Sequence, residues 1–246
     1  MTAFRKAGEL LGLRHEKRAV IAVIGCGGKT TFIETLAREC VGKKVLITPT
    51  TKIWPMLGKD VVLCATEREC ADHEPADGIQ CLGVLNEKSG KLESLNPELL
   101  KSVVSRYDIT LIEADGSRGL PCKGWLENEP VVPDYCTHTV GMVTLCVIGK
   151  PVCDDTVFRI DEFSNLSGLR KGETITAKAM TNMVCSEKGM FKNGHGRQSI
   201  FVNKTEDNSA TAAEAERWLS DVRLTYPGRF LHLAYGNALT NEWREL

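Results

Sequence analysis

The sequence AVIAVIGCGGKTT, residues 19–31, joins an apolar run to a glycine-rich turn and then to Lys29-Thr30-Thr31. The run does not alternate with polar residues, which suits a strand covered on both faces. The segment after the turn (FIETLAREC, residues 32–40) has helical character. A strand, a glycine turn and a helix in that order put a helix N-terminus at the turn. Free N–H groups and the helix dipole make such a place a seat for anions. Lysine and hydroxyl groups following the glycines suit phosphate oxygens and Mg²⁺. Gly25, Cys26, Gly27, Gly28, Lys29, Thr30 and Thr31 are therefore expected to bind nucleotide, with Cys26 contributing its backbone.

The common phosphate-loop spacing, G-x-x-x-x-G-K-[ST], needs glycine at position 23, where this chain has Val23. The shorter spacing present here resembles the phosphate loop of Mur-type ligases. Val23 then belongs to the strand that leads into the loop.

Working outward, apolar runs predict strands at 19–24, 44–48, 61–64, 79–85, 109–114, 139–148, 199–202 and 230–234. Helices are predicted at 30–40, 97–106, 176–185 and 210–225, the second marked by the capping pair Asn96-Pro97. The alternation predicts an α/β fold: a mainly parallel sheet with helices on both faces, P-loop NTPase-like, in a Rossmann-like three-layer arrangement. GIQCLGVLNEKSGKLESL, residues 78–95, reads as a hairpin or small insertion turning at NEKSGK. Segments 115–135 and 186–197 read as long loops, of the kind that carry function. The whole of 1–246 is expected to form one nucleotide-binding domain, with a small helical insertion at about 150–197.

Composition narrows the function. The chain has 246 residues and a formal net charge of −1, without a basic stripe, which argues against nucleic-acid binding. No apolar stretch approaches membrane-span length, and the charged N-terminus suits a short amphipathic helix better than a secretory signal. The 10 cysteines are scattered and form no C-x-x-C pair, so free thiols in a cytoplasmic protein are expected.

Three more stretches carry chemistry. DITLIEADGSRGLPCKGWLENEPVVP, residues 108–133, ends a predicted strand in Glu113-Ala114-Asp115. Strand alternation puts Glu113 and Asp115 on one side, where they are expected to hold Mg²⁺ together with Thr30, or to orient a water. Arg118 or Lys123 would meet phosphate charge. TPTTKIWP, residues 48–55, offers Thr50, Thr51 and Lys52 at a strand's C-terminal end. SIFVNKTED, residues 199–207, ends in Asn203-Lys204, similar to the N-K-x-D base-reading motif of GTPases, with Glu206 in the aspartate's place. Catalytic roles are thereby expected for Lys29, Glu113, Asp115 and Arg118, with ATP or GTP and Mg²⁺ as ligands.

With GMVTLCVIGKP (residues 141–151), these stretches resemble the YqeC family over most of the chain. EADGSRGLP followed by EPVVP is the most distinctive block. The resemblance implies an accessory protein for maturing selenium-dependent molybdenum hydroxylases, with such an apo-enzyme or a selenium or molybdopterin cofactor as partner. Three activities fit: a triphosphate hydrolase serving that maturation; an ATP-dependent ligase or kinase; or a non-catalytic module, either a nucleotide or cofactor sensor or a selenium or molybdopterin carrier, with Cys26 and Cys122 as its candidate thiols.

Overall fold

The computed structural model describes residues 3–58, 61–205 and 209–246. In chain order the elements are α1 (Ala7–Leu10), β1 (Ala19–Gly25), α2 (Lys29–Glu39), β2 (Lys44–Pro49), β3 (Lys52–Ile53), β4 (Val61–Cys64) and α3 (Glu67–Asp72). There follow β5 (Gly78–Leu82), β6 (Val84–Asn86), β7 (Lys91–Glu93), α4 (Pro97–Val104), β8 (Ile109–Glu113), β9 (Cys122–Lys123) and β10 (His138–Val143). The chain ends with β11 (Val157–Phe158), α5 (Ile160–Ser167), α6 (Ala177–Cys185), β12 (Arg197–Asn203), α7 (Ser209–Thr225), β13 (His232–Asn237) and β14 (Glu242–Glu245).

Nine strands form one sheet in the order β14-β13-β12-β10-β1-β8-β2-β5-β4. Every neighbouring pair is parallel except β13–β14. All seven residues of β1 are buried, as its apolar run requires. Its side chains part to the two faces. Val20, Ala22 and Ile24 join a core with Leu100 and Val104 of α4, Met180 and Val184 of α6 and Leu219 of α7. Ile21 and Val23 join a second core with Phe32 and Leu36 of α2. There Phe32, Phe201 and Trp243 meet edge to face, with Phe201 and Trp243 centroids 4.9 Å apart. Helices therefore cover both faces. The helix starts follow local chemistry: Asn96 Oδ1 accepts the Leu99 N–H at 3.0 Å ahead of Pro97, and Thr176 caps α6.

The strand order positions the site. The chain leaves β1 toward β2 on one side and leaves β10 toward β12 on the other. The carboxyl ends of the adjacent β1 and β10 thus flank the crevice where open α/β sheets bind ligands.

Two expected strands end elsewhere. The run 79–85 splits at Gly83, where the chain passes so close to β7 that a Cβ would lie 2.8 Å from the Glu93 carbonyl oxygen. Beyond that point β6 pairs antiparallel with β7 and, with β3, makes a separate three-stranded sheet. The expected hairpin is thus present, between 84 and 93. The expected strand 139–148 stops at Val143. The expected loop 115–135 contains β9, which pairs with β11. Segment 150–197 carries β11, α5 and α6, and its Phe163, Met180 and Val184 share the core of α4 and α7. Among the described residues no helix is long and apolar enough to cross a membrane.

Candidate functional site

The turn after β1 is shaped by contacts from three other strands. Gly25 has φ +94°, and a Cβ on it would lie 2.3 Å from the Met142 carbonyl oxygen at the end of β10. Gly28 has φ +127°, and its Cβ would lie 2.3 Å from Asn203 Nδ2 at the end of β12. Only glycine suits either position. The Cys26 N–H donates to Met142 O at 2.9 Å. Asn203 Nδ2 donates to Gly27 O at 2.7 Å, while its Oδ1 accepts the Ala238 N–H at 2.8 Å. Helix α2 begins at Lys29 behind Gly28, with no side-chain cap, so its first N–H groups lack intrahelical partners.

Asp115 holds the loop from the β8 side. It is fully buried, and its carboxylate accepts the Gly25 N–H at 3.0 and 3.1 Å and Trp125 Nε1–H at 2.7 Å. Two buried ammoniums flank it: Lys29 at 3.2 Å and Lys123 at 3.6 Å. Lys123 also pairs with Glu129 at 3.0 Å, and Glu129 receives Arg159 Nη1. At the other end Lys29 stands 3.8 Å from Glu113. Charges of opposite sign thus alternate from Glu113 through Lys29, Asp115, Lys123 and Glu129 to Arg159. Burial opposes the charge on Lys29, but Asp115 and Glu113 more than offset it and hold its pKa above the ordinary value. Lys29 Nζ donates to Gly25 O at 2.7 Å.

Glu113 behaves differently. Burial raises its pKa above the usual carboxylate value, with Lys29 and a hydrogen bond from Thr30 working against the shift. Its Oε2 accepts from Thr30 Oγ1 at 3.0 Å, and both residues line the open cleft. These are the hard oxygen donors that Mg²⁺ takes in company with substrate phosphates. Asp115 has no comparable opening, since the donors around it occupy its carboxylate. Of the two carboxylates expected to hold Mg²⁺, Glu113 opens on the cleft and Asp115 is enclosed and braces the loop. Among the described residues no cluster of three or more His, Cys, Asp or Glu forms a protein-only metal cage.

The cleft encloses about 1050 Å³ and carries six cations: Lys29, Lys52, Lys91, Arg118, Arg159 and Lys204. Against them stand Glu113 and Glu129. Gly27, Gly28, Thr30, Thr31 and Thr51 line it as well. Other expected residues face away. Thr50 is tied to the scaffold, its N–H to Glu113 O at 3.1 Å and its Oγ1 to Val131 O at 2.6 Å. Asn203 places one end of its amide on the loop and the other on Ala238. Glu206 lies outside the described residues. Lys123 is spent in the ion chain, leaving Arg118 as the arginine or lysine of that segment open to the cleft.

The two candidate thiols are enclosed. Cys26 and Cys122 are both buried. Burial pushes the Cys26 thiol up to about 12 and the Cys122 thiol well above its ordinary value, which disfavours the thiolate at both.

Among the cleft residues that sequence reasoning passed over are Trp54, Lys91, Phe158 and Arg159. Trp54 is 63% exposed, with Lys91 Nζ 5.1 Å from its ring centroid, and both are carried by the small sheet. Phe158 and Arg159 come from β11 and its exit. Trp54 sits inside the quoted TPTTKIWP stretch, which was the available signal; the other three had none.

These features define a class: parallel α/β proteins with a glycine-rich loop and a lysine-led helix at the carboxyl ends of the central strands. Within it, the chain belongs to the YqeC family. The profile described as YqeC protein matches residues 21–161. A protein of Escherichia coli (strain K12), named as uncharacterized protein YqeC, is 31% identical over 216 residues, covering 84% of each chain. No solved structure matches the chain.

Proposed function

We propose that this protein is a Mg²⁺-dependent nucleoside-triphosphate-binding protein that hydrolyses ATP or GTP, on a P-loop NTPase-like fold. The observation that carries the reading is the loop itself. Glycines with positive φ, an uncapped helix N-terminus and a buried lysine converge on a cleft with six cations and two carboxylates. The placement of β1 between β8 and β10, with Glu113 closing β8, supports it. So does the contact of Asn203 with the loop, which ties the strand expected to approach the base to the phosphate cradle.

In this reading the N–H groups of Gly27 to Thr31 and the ammonium of Lys29 hold the phosphates. Thr30 and Glu113 hold Mg²⁺, which neutralises phosphate charge when bound. Glu113 orients the attacking water, and Arg118 offsets charge developing on the transferred phosphoryl group. Asp115 keeps Lys29 and Gly25 in place. The role in maturing selenium-dependent molybdenum hydroxylases rests on the family resemblance, and the buried Cys26 and Cys122 favour nucleotide chemistry over a thiol carrier.

The test is calorimetry of ATP, GTP and CTP with Mg²⁺, followed by phosphate release. Lys29→Ala should weaken triphosphate binding by about 2–3 kcal/mol, roughly 30- to 150-fold in Kd. Wild-type affinity and turnover in that variant would overturn the proposal.

A further inference from the structure

A second pocket of about 810 Å³ lies beside the phosphate cleft, at the start of α5. The two cavities share Arg118, Phe158 and Arg159 as a common wall. Both arginines pack on the same ring, their guanidinium carbons 4.7 and 4.8 Å from the Phe158 centroid. Both also hold left-handed backbone, with φ +53° at Arg118 and +60° at Arg159. Such a conformation is uncommon for a side-chain-bearing residue, and strain of this kind gathers where a ligand is gripped. Two like charges thus share one partition despite unfavourable backbone and mutual repulsion. Arg159 places Nη1 on Glu129, and Arg118 has no carboxylate partner among the described residues.

The rest of the second pocket is of mixed charge, with Arg170 and Lys171 beside Asp154, Asp161 and Glu162. Arg170 lines it without an ion-pair partner among the described residues, and Lys171 is paired with Asp154 at 2.6 Å. Asp161 and Glu162 occupy the first turn of α5, where the helix dipole favours negative charge. Arg118 and Arg170, without carboxylate partners among the described residues, therefore line one cavity with the Glu129-paired Arg159, and none of the loop's own residues enters it.

We propose that this pocket binds a second small molecule through a carboxylate or phosphate group held by Arg118, Arg159 and Arg170. Its description as the companion of a bound triphosphate rests on the proposed function above; the anion site itself does not. Shape favours the same conclusion, because the shared wall brings a ligand of this pocket against the cleft at Arg118.

The test titrates inorganic phosphate and, separately, succinate into wild-type protein and into the Lys29→Ala, Arg170→Ala and Ser164→Phe variants, by calorimetry. Ser164 lines the second pocket only, so a phenylalanine there fills it. The expected result is saturable binding of at least one probe that survives Lys29→Ala, weakens at least 10-fold in Arg170→Ala and disappears in Ser164→Phe. The stronger probe identifies a phosphate-bearing or carboxylate-bearing ligand. Triphosphate affinity, measured in parallel, should fall in Lys29→Ala and stay within 2-fold in the other two. Anion binding lost in Lys29→Ala alone, or no saturable binding of either probe, overturns the inference. Loss of triphosphate binding in wild type with anion binding intact would instead sink the proposed function and leave this site standing. Arg170 is exposed, so its variant reads binding and not folding.

Discussion

Replacing Asp115 by asparagine keeps the volume of the side chain and removes its charge. The site around it is specific: two buried ammoniums at 3.2 and 3.6 Å, and N–H donors from Gly25 and Trp125. Asparagine leaves Lys29 without its nearer carboxylate and turns an N–H₂ group toward at least one N–H donor. Breaking a buried ion pair from one side costs about 3–5 kcal/mol. With a urea m-value of about 2–3 kcal/mol/M, the unfolding midpoint should fall by roughly 1–2.5 M. Urea unfolding at pH 7, followed by circular dichroism, reads this directly. Glu113→Gln is the control. Burial already raises the Glu113 pKa, so the ionised form is disfavoured in the fold and a neutral amide costs little stability. It should instead lose the Mg²⁺ dependence of triphosphate binding. An Asp115→Asn protein with an unchanged midpoint would refute the assignment of Asp115 to the scaffold, all the more if Mg²⁺ binding were the property it lost.

Gly28→Ala should abolish measurable triphosphate binding while costing about 1–3 kcal/mol of stability, because it strains the backbone and displaces the Asn203 amide. Calorimetry and urea unfolding separate the two effects. Trp54 is the exposed tryptophan of four, the other three being buried, so triphosphate binding should change intrinsic fluorescence and Trp54→Phe should remove that change. Acid should destabilise the fold through His138. Burial pushes its imidazole down to about 4, with Arg197 and His232 adding to the shift and Glu16 opposing it. The unfolded chain therefore takes up this proton first. Stability is full above the ordinary value near 6.5 and falls as the pH drops toward 4, by about 3 kcal/mol in all. His138→Gln should flatten the unfolding free energy across that window.

The parts of the fold that could be read in the sequence are those set by neighbours in the chain. Seven consecutive apolar or small residues made β1 unmistakable, and the glycines, Lys29 and Thr30 follow within one turn. The end of β10 could not be read, because Thr144 to Ile148 stay apolar enough for a strand while the path is decided by packing against Gly27. The break at Gly83 depends on the close approach of Glu93. Roles at the site were hidden for the same reason. Glu113 and Asp115 look equivalent along the strand, yet one opens on the cleft and the other is enclosed by Lys29, Lys123 and Trp125. Arg159 reaches the site through the pairing of β9 with β11, two-residue strands too short to leave a pattern.

The amide of Asn203 reaches Gly27 across 176 positions of chain. At about 5–20 residues per second of synthesis, roughly 9 to 35 s separate the appearance of the glycine turn from that of its last strut. Until β12 is made and docked, Gly27 and Gly28 have nothing to brace them on that side. The loop near the start of the chain is thus among the last parts of the nascent protein to acquire its final shape.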